Sequence, residues 1–149
     1  TFIISMAVIV LGITAYRLIQ PASAEDQKNS QDLIDDIKAF AKELNTIIIV
    51  TGPIDYVTDG NKCYMINNGC KEMSAITGTG CMLSGILGCF LTVENSVDSA
   101  VMSMGIAGEI GASKLKEGEG NATLRTYLID ALFNMTDEEL EKSGKYEVQ

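Results

Sequence analysis

Apolar side chains fall along this chain in several patterns, and each pattern predicts an element. Thr1 to Tyr16 is uncharged and dominated by apolar residues. This run predicts a buried strand followed by a helix, because it falls short of the roughly 18–20 residues that span a bilayer. Residues 23–30 (SAEDQKNS) read as a polar linker, with Ser30 as the N-cap of a helix that has acidic residues in its first turns. Leu33, Ile34, Ile37, Phe40, Ala41 and Leu44 then recur at helical spacing and predict one apolar face, closed by Asn45. The β-branched run Thr46–Thr51 follows, the pattern of a strand buried on both faces of a parallel sheet.

Two short runs, Asp55–Thr58 and Lys62–Ile66, flank Asp59-Gly60-Asn61 and predict a β-hairpin that Asn67-Asn68-Gly69 ends. Beyond Ser74-Ala75-Ile76 stands the Gly-rich stretch Thr77-Gly78-Thr79-Gly80-Cys81. Met82 to Val93 is apolar nearly all round and predicts a buried helix. Further helices are expected over Asp98–Lys116 and Thr123–Met135, the first with Gly105, Ala107, Gly108, Gly111 and Ala112 as small residues for close packing and Met102 and Met104 in the core. Residues 136–149 read as an acidic, loosely held tail, with 141–149 outside the domain proper.

Composition narrows the function classes. The chain has 149 residues, 46% hydrophobic and 21% charged, enough for one core and too ordinary for disorder. A formal charge of −9 argues against nucleic acid as a partner, since phosphates would find little to neutralise them. The absence of histidine removes Ser-His-Asp and Cys-His catalysis in their usual forms. Cys63, Cys70, Cys81 and Cys89 form no CxxC pair, so neither a four-cysteine metal site nor a disulfide framework is expected. Together these features point to a reducing, cytoplasmic compartment. Ala22-Ser23-Ala24 leaves open an exported or anchored form beginning near Glu25, against which stands the lack of a basic region ahead of the apolar run.

The chemistry is concentrated at Thr77–Cys81. A Gly-rich turn entering a helix aims several free N–H groups and the positive dipole end at one point, where a phosphate or developing oxyanion binds. Gly78 and Gly80 let backbone approach a ligand with no Cβ in the way. Cys81 falls in the first turn of the helix, beside that anion hole, as a candidate base. No Lys follows, so this is not a Walker A loop.

Read with its surroundings the loop becomes specific. Val50-Thr51-Gly52, Ile54–Gly60, Asn68-Gly69 and Thr77–Ser84 resemble, in order and spacing, the C-terminal half of the hydroxyethylthiazole kinases of the ribokinase-like family. Glu117–Asn121 and Tyr127–Leu132 are similar to that family's closing Gly-rich turn and last helix. The resemblance covers about residues 23–140 and leaves residues 1–22 outside it. It implies an α/β fold, the C-terminal portion of a three-layer ribokinase-like sandwich. It also implies ATP-dependent, Mg²⁺-dependent phosphorylation of the primary alcohol of 4-methyl-5-(2-hydroxyethyl)thiazole, a step of thiamine salvage, in a cytoplasmic homotrimer with sites between subunits. Cys81 then stands where most ribokinase relatives carry an Asp base, and Gly78, Thr79 and Gly80 form the anion hole. Thr51 and Gly52 lie at ATP, Gly78 also touches the thiazole, and no metal ligand is assigned.

The resemblance has departures. The family enzymes are nearly twice this length. Ahead of the matched region they carry a basic-Gly-Asn-x-x-Glu stretch that meets ATP and supports the metal; the aligned positions here are Thr1, Phe2, Ile3 and Met6, which cannot do those jobs. The alternatives are a non-catalytic remnant that binds phosphate or nucleotide or assembles with a full-length kinase, and another ribokinase-like kinase, for which Cys81 in place of Asp is unfavourable. Elsewhere plain structural roles are expected. Cys63, Cys70 and Cys89 fill packing positions, and Asp55 and Asp59 serve turns. Glu109, Glu117 and Glu119 are solvated helix-end residues, and Arg125 is a surface ion-pair partner.

Overall fold

Ile48, Ile49 and Val50 are almost wholly removed from solvent, and the strand they form is an interior strand of the sheet in the first structural unit. The computed structural model describes residues 9–12, 24–91 and 96–149, with 9–12 and 24–30 as backbone alone. The chain divides into two compact units, Thr1–Met65 with Glu147–Gln149, and Ile66–Tyr146. The helix expected after the first strand, and the positions Thr1, Phe2, Ile3 and Met6, lie outside the described residues.

The first unit is a sheet covered by one helix. Its strands are β1 (Ile9–Gly12), β2 (Ile48–Thr51), β3 (Asp55–Thr58), β4 (Cys63–Ile66) and β5 (Tyr146–Val148), side by side in that order. β1 runs parallel to β2 in a register that sets Ile9 against Ile48 and Gly12 against Thr51. β2 and β3 are antiparallel, with Val50 opposite Tyr56. Cys63 and Gln149 exchange backbone hydrogen bonds of 2.8 and 2.9 Å, which fixes the last strand antiparallel to β4. The parallel setting expected for Thr46–Thr51 therefore holds on one side only, and β2–β5 form a four-stranded antiparallel block.

Helix α1 (Ala24–Leu44) lays Ile34, Ile37 and Ala41 on Ile48, Val50, Tyr56 and Cys63. Each fully buried aliphatic side chain in such a cluster contributes roughly 1.5–3 kcal/mol. Two expectations are corrected here. The helix starts at Ala24, so Ser30 lies inside it rather than capping it. The buried stripe follows Ile34, Ile37 and Ala41, while Phe40 and Leu44 are 41% and 44% exposed. Asn45, in the left-handed region at φ 48°, ends the helix as its sequence position predicts.

The hairpin turn is built as expected. Asp59 Oδ1 accepts the amides of Asn61 (2.8 Å) and Lys62 (3.0 Å), and the Lys62 amide is the main influence holding Asp59 below the usual carboxylate range. Gly60 has φ 92°, and a Cβ there would lie 2.5 Å from Lys42 Cγ, so both torsion and space demand glycine.

The second unit is helical and centred on α3 (Val97–Ser113), whose Val97, Ala100, Val101, Met102, Met104, Ile106 and Ala107 are buried. Around it lie α2 (Thr79–Phe90), α4 (Asn121–Phe133) and α5 (Asp137–Ser143). α4 comes close because Gly111 has no Cβ, which would sit 3.1 Å from Leu128 N. Two more expectations change. α2 is not buried all round: Leu83 and Leu87 face inward, and Cys81, Gly85, Gly88 and Cys89 are exposed. Residues 136–149 are not a loose tail but form α5 and β5. Thr136 Oγ1 caps α5 by accepting the Glu139 amide at 3.2 Å, the Thr-x-x-Glu arrangement of a capping box.

Candidate functional site

Gly78 is the N-cap of α2 and adopts φ 97°, ψ 3°, a left-handed conformation that turns the chain into the helix without a side-chain cap. The first intrahelical bond runs from Met82 N to Gly78 O at 3.0 Å. The amides ahead of it, at Thr79, Gly80 and Cys81, therefore have no partner within the helix. A Cβ built at Gly78 or Gly80 meets nothing within 4 Å, so the space beside these two glycines is open. Cys81, the third residue of the helix, is exposed. The loop thus brings together Gly78, Thr79, Gly80 and the Cys81 thiol at one helix end, as the sequence predicts. Such an end suits an anionic group and a proton acceptor beside it.

The segment leading to this loop is fastened at both ends. At its start Glu109 of α3 accepts the Gly69 amide at 2.8 Å and Asn68 Nδ2 at 3.3 Å through Oε1, and Lys145 Nζ at 2.8 Å through Oε2. Asn68, only 6% exposed, also donates to Ser143 O (2.9 Å) and accepts from Lys145 N (2.8 Å). Burial pushes the Glu109 carboxyl up, but the hydrogen bonds from Lys145 and Gly69, the Lys145 charge and Asn68 outweigh it and leave the group below its ordinary range. Gly105 seats the Asn68 backbone, since a Cβ there would come within 2.7 Å of it, and Gly108 makes room for Met73. Cys70 Sγ donates to Gly108 O at 3.5 Å. A short 3₁₀ turn, Lys71–Ala75, follows, and Asn121 Nδ2 donates to Ala75 O at 3.0 Å, two residues before Thr77.

Glu109 is accordingly not the solvated helix residue expected. Asn68, Glu109, Asn121 and Lys145 escaped the sequence reading because their contacts span 36 to 77 positions. Asn68, in the Asn68-Gly69 dipeptide, and Asn121, in the Glu117–Asn121 stretch, carried a local signal, but their partners did not.

In the first unit, Thr51 ends β2 and is partly exposed. Gly52 N donates to Asp55 Oδ1 at 2.8 Å, closing the β2–β3 connection. Asp55 thus serves a turn, yet burial pushes its carboxyl up to about 6, with the Gly52 amide drawing it partly back. Thr51 and Gly52 belong to one unit and residues 77–81 to the other.

The remaining residues mostly take structural roles. Cys63 is buried, and that burial raises its thiol to about 11 against a smaller opposing effect of Lys38. Cys70 is half-buried and raised for the same reason. Cys89 is exposed rather than packed as expected. Glu119 Oε2 accepts Lys116 N at 2.9 Å, and Glu117 and Arg125 are exposed. Among the described residues no three Asp, Glu or Cys side chains gather as a metal-ion set, and no helix is long and apolar enough to cross a membrane.

A mixed sheet with one helix laid on it is followed along the chain by a helical unit that carries the Gly-rich loop, so the molecule is a mixed α/β protein. The model of the hydroxyethylthiazole kinase family matches residues 17–138, and the chain belongs to that family. It is 44% identical over 113 residues to "Hydroxyethylthiazole kinase 2" of Methanosphaera stadtmanae, covering 73% of this chain and 40% of the relative. It is 35% identical over 131 residues to the hydroxyethylthiazole kinase of Clostridium acetobutylicum, covering 82% and 48%. The structure of the hydroxyethylthiazole kinase from Pyrococcus horikoshii superposes with a TM-score of 0.72 at 27% identity, over 83% of this chain and 49% of that one. The chain spans about half the length or less of these relatives.

Proposed function

We propose that this chain carries the phosphoryl-transfer end of a thiazole kinase, acting with ATP on the hydroxyethyl alcohol of 4-methyl-5-(2-hydroxyethyl)thiazole in thiamine salvage. The observation that carries the reading is the Thr77–Cys81 loop, where a left-handed Gly78 opens a helix end whose amides are unpaired by the helix and whose Cys81 thiol is exposed.

In this reading the substrate hydroxyl oxygen attacks the γ-phosphorus of ATP. The new O–P bond forms as the bond to the β–γ bridging oxygen breaks, ADP leaves, and the hydroxyl proton passes to Cys81 in its thiolate form, giving the thiol, which returns the proton to solvent. The Thr79, Gly80 and Cys81 amides stabilise charge on the transferring group, the largest task in a reaction that is mostly positioning and electrostatics. Gly78 borders the thiazole, and Thr51 lies at the nucleotide. Gly52 also lies there, although its own amide is engaged by Asp55. The family's magnesium has no gathered ligand set among the described residues, and no step is assigned to it.

The three-layer ribokinase-like arrangement, a trimer and a cytoplasmic setting accompany this proposal. They are supported by membership of the family and by the likeness to the Pyrococcus structure. The test is ADP release from ATP, Mg²⁺ and hydroxyethylthiazole by the purified chain, beside the same chain extended at its N-terminus to the length of its relatives. Thiazole-dependent release supports the proposal. No release in either form, with both folded, refutes it.

A further inference from the structure

We infer that Glu109 is a positioning residue for the Thr77–Cys81 loop, acting through the backbone it holds and not through any contact with substrate. This deepens the proposed function and rests on reading that loop as the phosphoryl-binding element.

The segment from Asn68 to Ile76 has little regular structure of its own beyond the Lys71–Ala75 turn, and it delivers the chain to Gly78. Its course is set by α3. Glu109 Oε1 takes the Gly69 amide at 2.8 Å, where the chain turns with φ 127°. One turn before Glu109 along α3, Gly105 receives the Asn68 backbone, and Gly108, directly before Glu109, receives Met73, both at sites that a Cβ would fill. The same carboxylate's other oxygen is held by Lys145 at 2.8 Å, so the group receiving Gly69 is itself fixed in orientation. At the far end the Asn121 amide holds Ala75 O, and Ile76 is buried. A segment fastened at Gly69 and Ala75 has little freedom to carry Gly78 away from its position. Loss of Glu109 releases the Gly69 amide and leaves that end held only one residue earlier, by the Asn68 side chain on Ser143 O and Lys145 N.

Backbone amide exchange, followed by NMR on the ligand-free chain, tests this at Ile76 and Met82. Their hydrogen bonds, Ile76 N to Met73 O and Met82 N to Gly78 O, report on the segment and the loop without touching Glu109. Glu109→Ala is expected to speed exchange at both by at least tenfold while β2 and β3 amides are unchanged. Glu109→Gln keeps an oxygen for Gly69 and is expected to restore protection to within about threefold. Lys145→Met, which breaks only the ion pair, keeps the assay interpretable if the alanine variant fails to fold, and is expected to speed both amides by a smaller factor. If Gly69 alone loses protection, or if the glutamine variant exchanges as fast as the alanine variant, Glu109 does not position the loop. The exchange result is read without substrate, whereas the kinase reading is tested by ADP release from the unsubstituted chain and its extended form.

Discussion

Asp55 Oδ1 receives the amide of Gly52 at 2.8 Å, so one carboxylate that burial drives up to about 6 closes the turn immediately after Thr51. Its ionisation is therefore coupled to folding. With a folded value of about 6 against 3.8 for the ordinary group, the folded chain binds more protons than the unfolded chain between about pH 4 and pH 6. Stability contributed by protonated Asp55 is present at low pH and lost as pH rises through that window. Asp55→Asn keeps an oxygen for Gly52 and removes the buried charge. Urea unfolding of the variant should show a gain of up to about 3 kcal/mol at pH 7.5, none at pH 4, and a flatter profile between them.

Gly78 and Gly80 should separate stability from chemistry. Gly78 sits at φ 97° with open space where a Cβ would go, so Gly78→Ala should cost about 1–2 kcal/mol through torsional strain alone. Gly80 lies within the first turn of α2, also facing open space, and Gly80→Ala should gain up to about 1 kcal/mol in helix propensity. Under the proposed function the added methyl crowds the helix end that receives the transferring phosphoryl group. Thermal melts paired with ADP-release assays should show Gly80→Ala more stable yet at least tenfold slower; a variant that is both more stable and fully active removes Gly80 from the anion hole.

The cysteines should divide by reactivity. Cys81 and Cys89 are exposed and Cys63 is buried, with its thiol raised to about 11. An aromatic disulfide reagent at pH 8 should label Cys81 and Cys89 first, Cys70 more slowly, and Cys63 only on unfolding, as peptide mass mapping over time would show. Because Cys81 is exposed, Cys81→Ala should shift stability by less than about 0.5 kcal/mol. Turnover should fall on the order of 10²–10⁴-fold if the thiol accepts the hydroxyl proton. Unchanged turnover would exclude it.

Gly105 and Gly108 look alike in sequence and should differ on substitution. A Cβ at Gly105 meets Asn68 backbone atoms at 2.7 Å, and backbone cannot move aside. At Gly108 it meets the flexible end of Met73. Gly105→Ala should cost about 3 kcal/mol and Gly108→Ala about 1 kcal/mol, as overpacking against rigid and yielding neighbours. Equal midpoints in denaturant titrations would show that the Asn68 segment can move off α3.

What the chain discloses in sequence depends on how far its contacts reach. The β2 run, the Asp59-Gly60 turn and the Gly-rich helix entrance rest on residues a few positions apart, and each is found where its local pattern puts it. Ser30 misled because a serine among polar residues resembles a cap even inside a continuing helix. Phe40 and Leu44 misled because helical spacing marks an apolar stripe without showing how wide a sheet lies beneath it. Residues 136–149 looked loose on charge alone, although Thr136 and Glu139 carried a capping signal. The Asn68–Glu109–Lys145 cluster was beyond local reading, since no spacing rule links a strand-end Asn to a helix Glu and a Lys near the C-terminus.

The pairing of Cys63 with Gln149 has a consequence in time as well as in space. β4 leaves the ribosome long before β5 exists, and at roughly 5–20 residues per second the wait is on the order of ten seconds. Throughout that interval the hairpin presents a row of unpaired N–H and C=O groups, the kind of edge to which neighbouring nascent chains add. The short strand β5 is the latch that ends this exposure, so the yield of native protein in a crowded cell should depend on how promptly Tyr146–Val148 follow the hairpin.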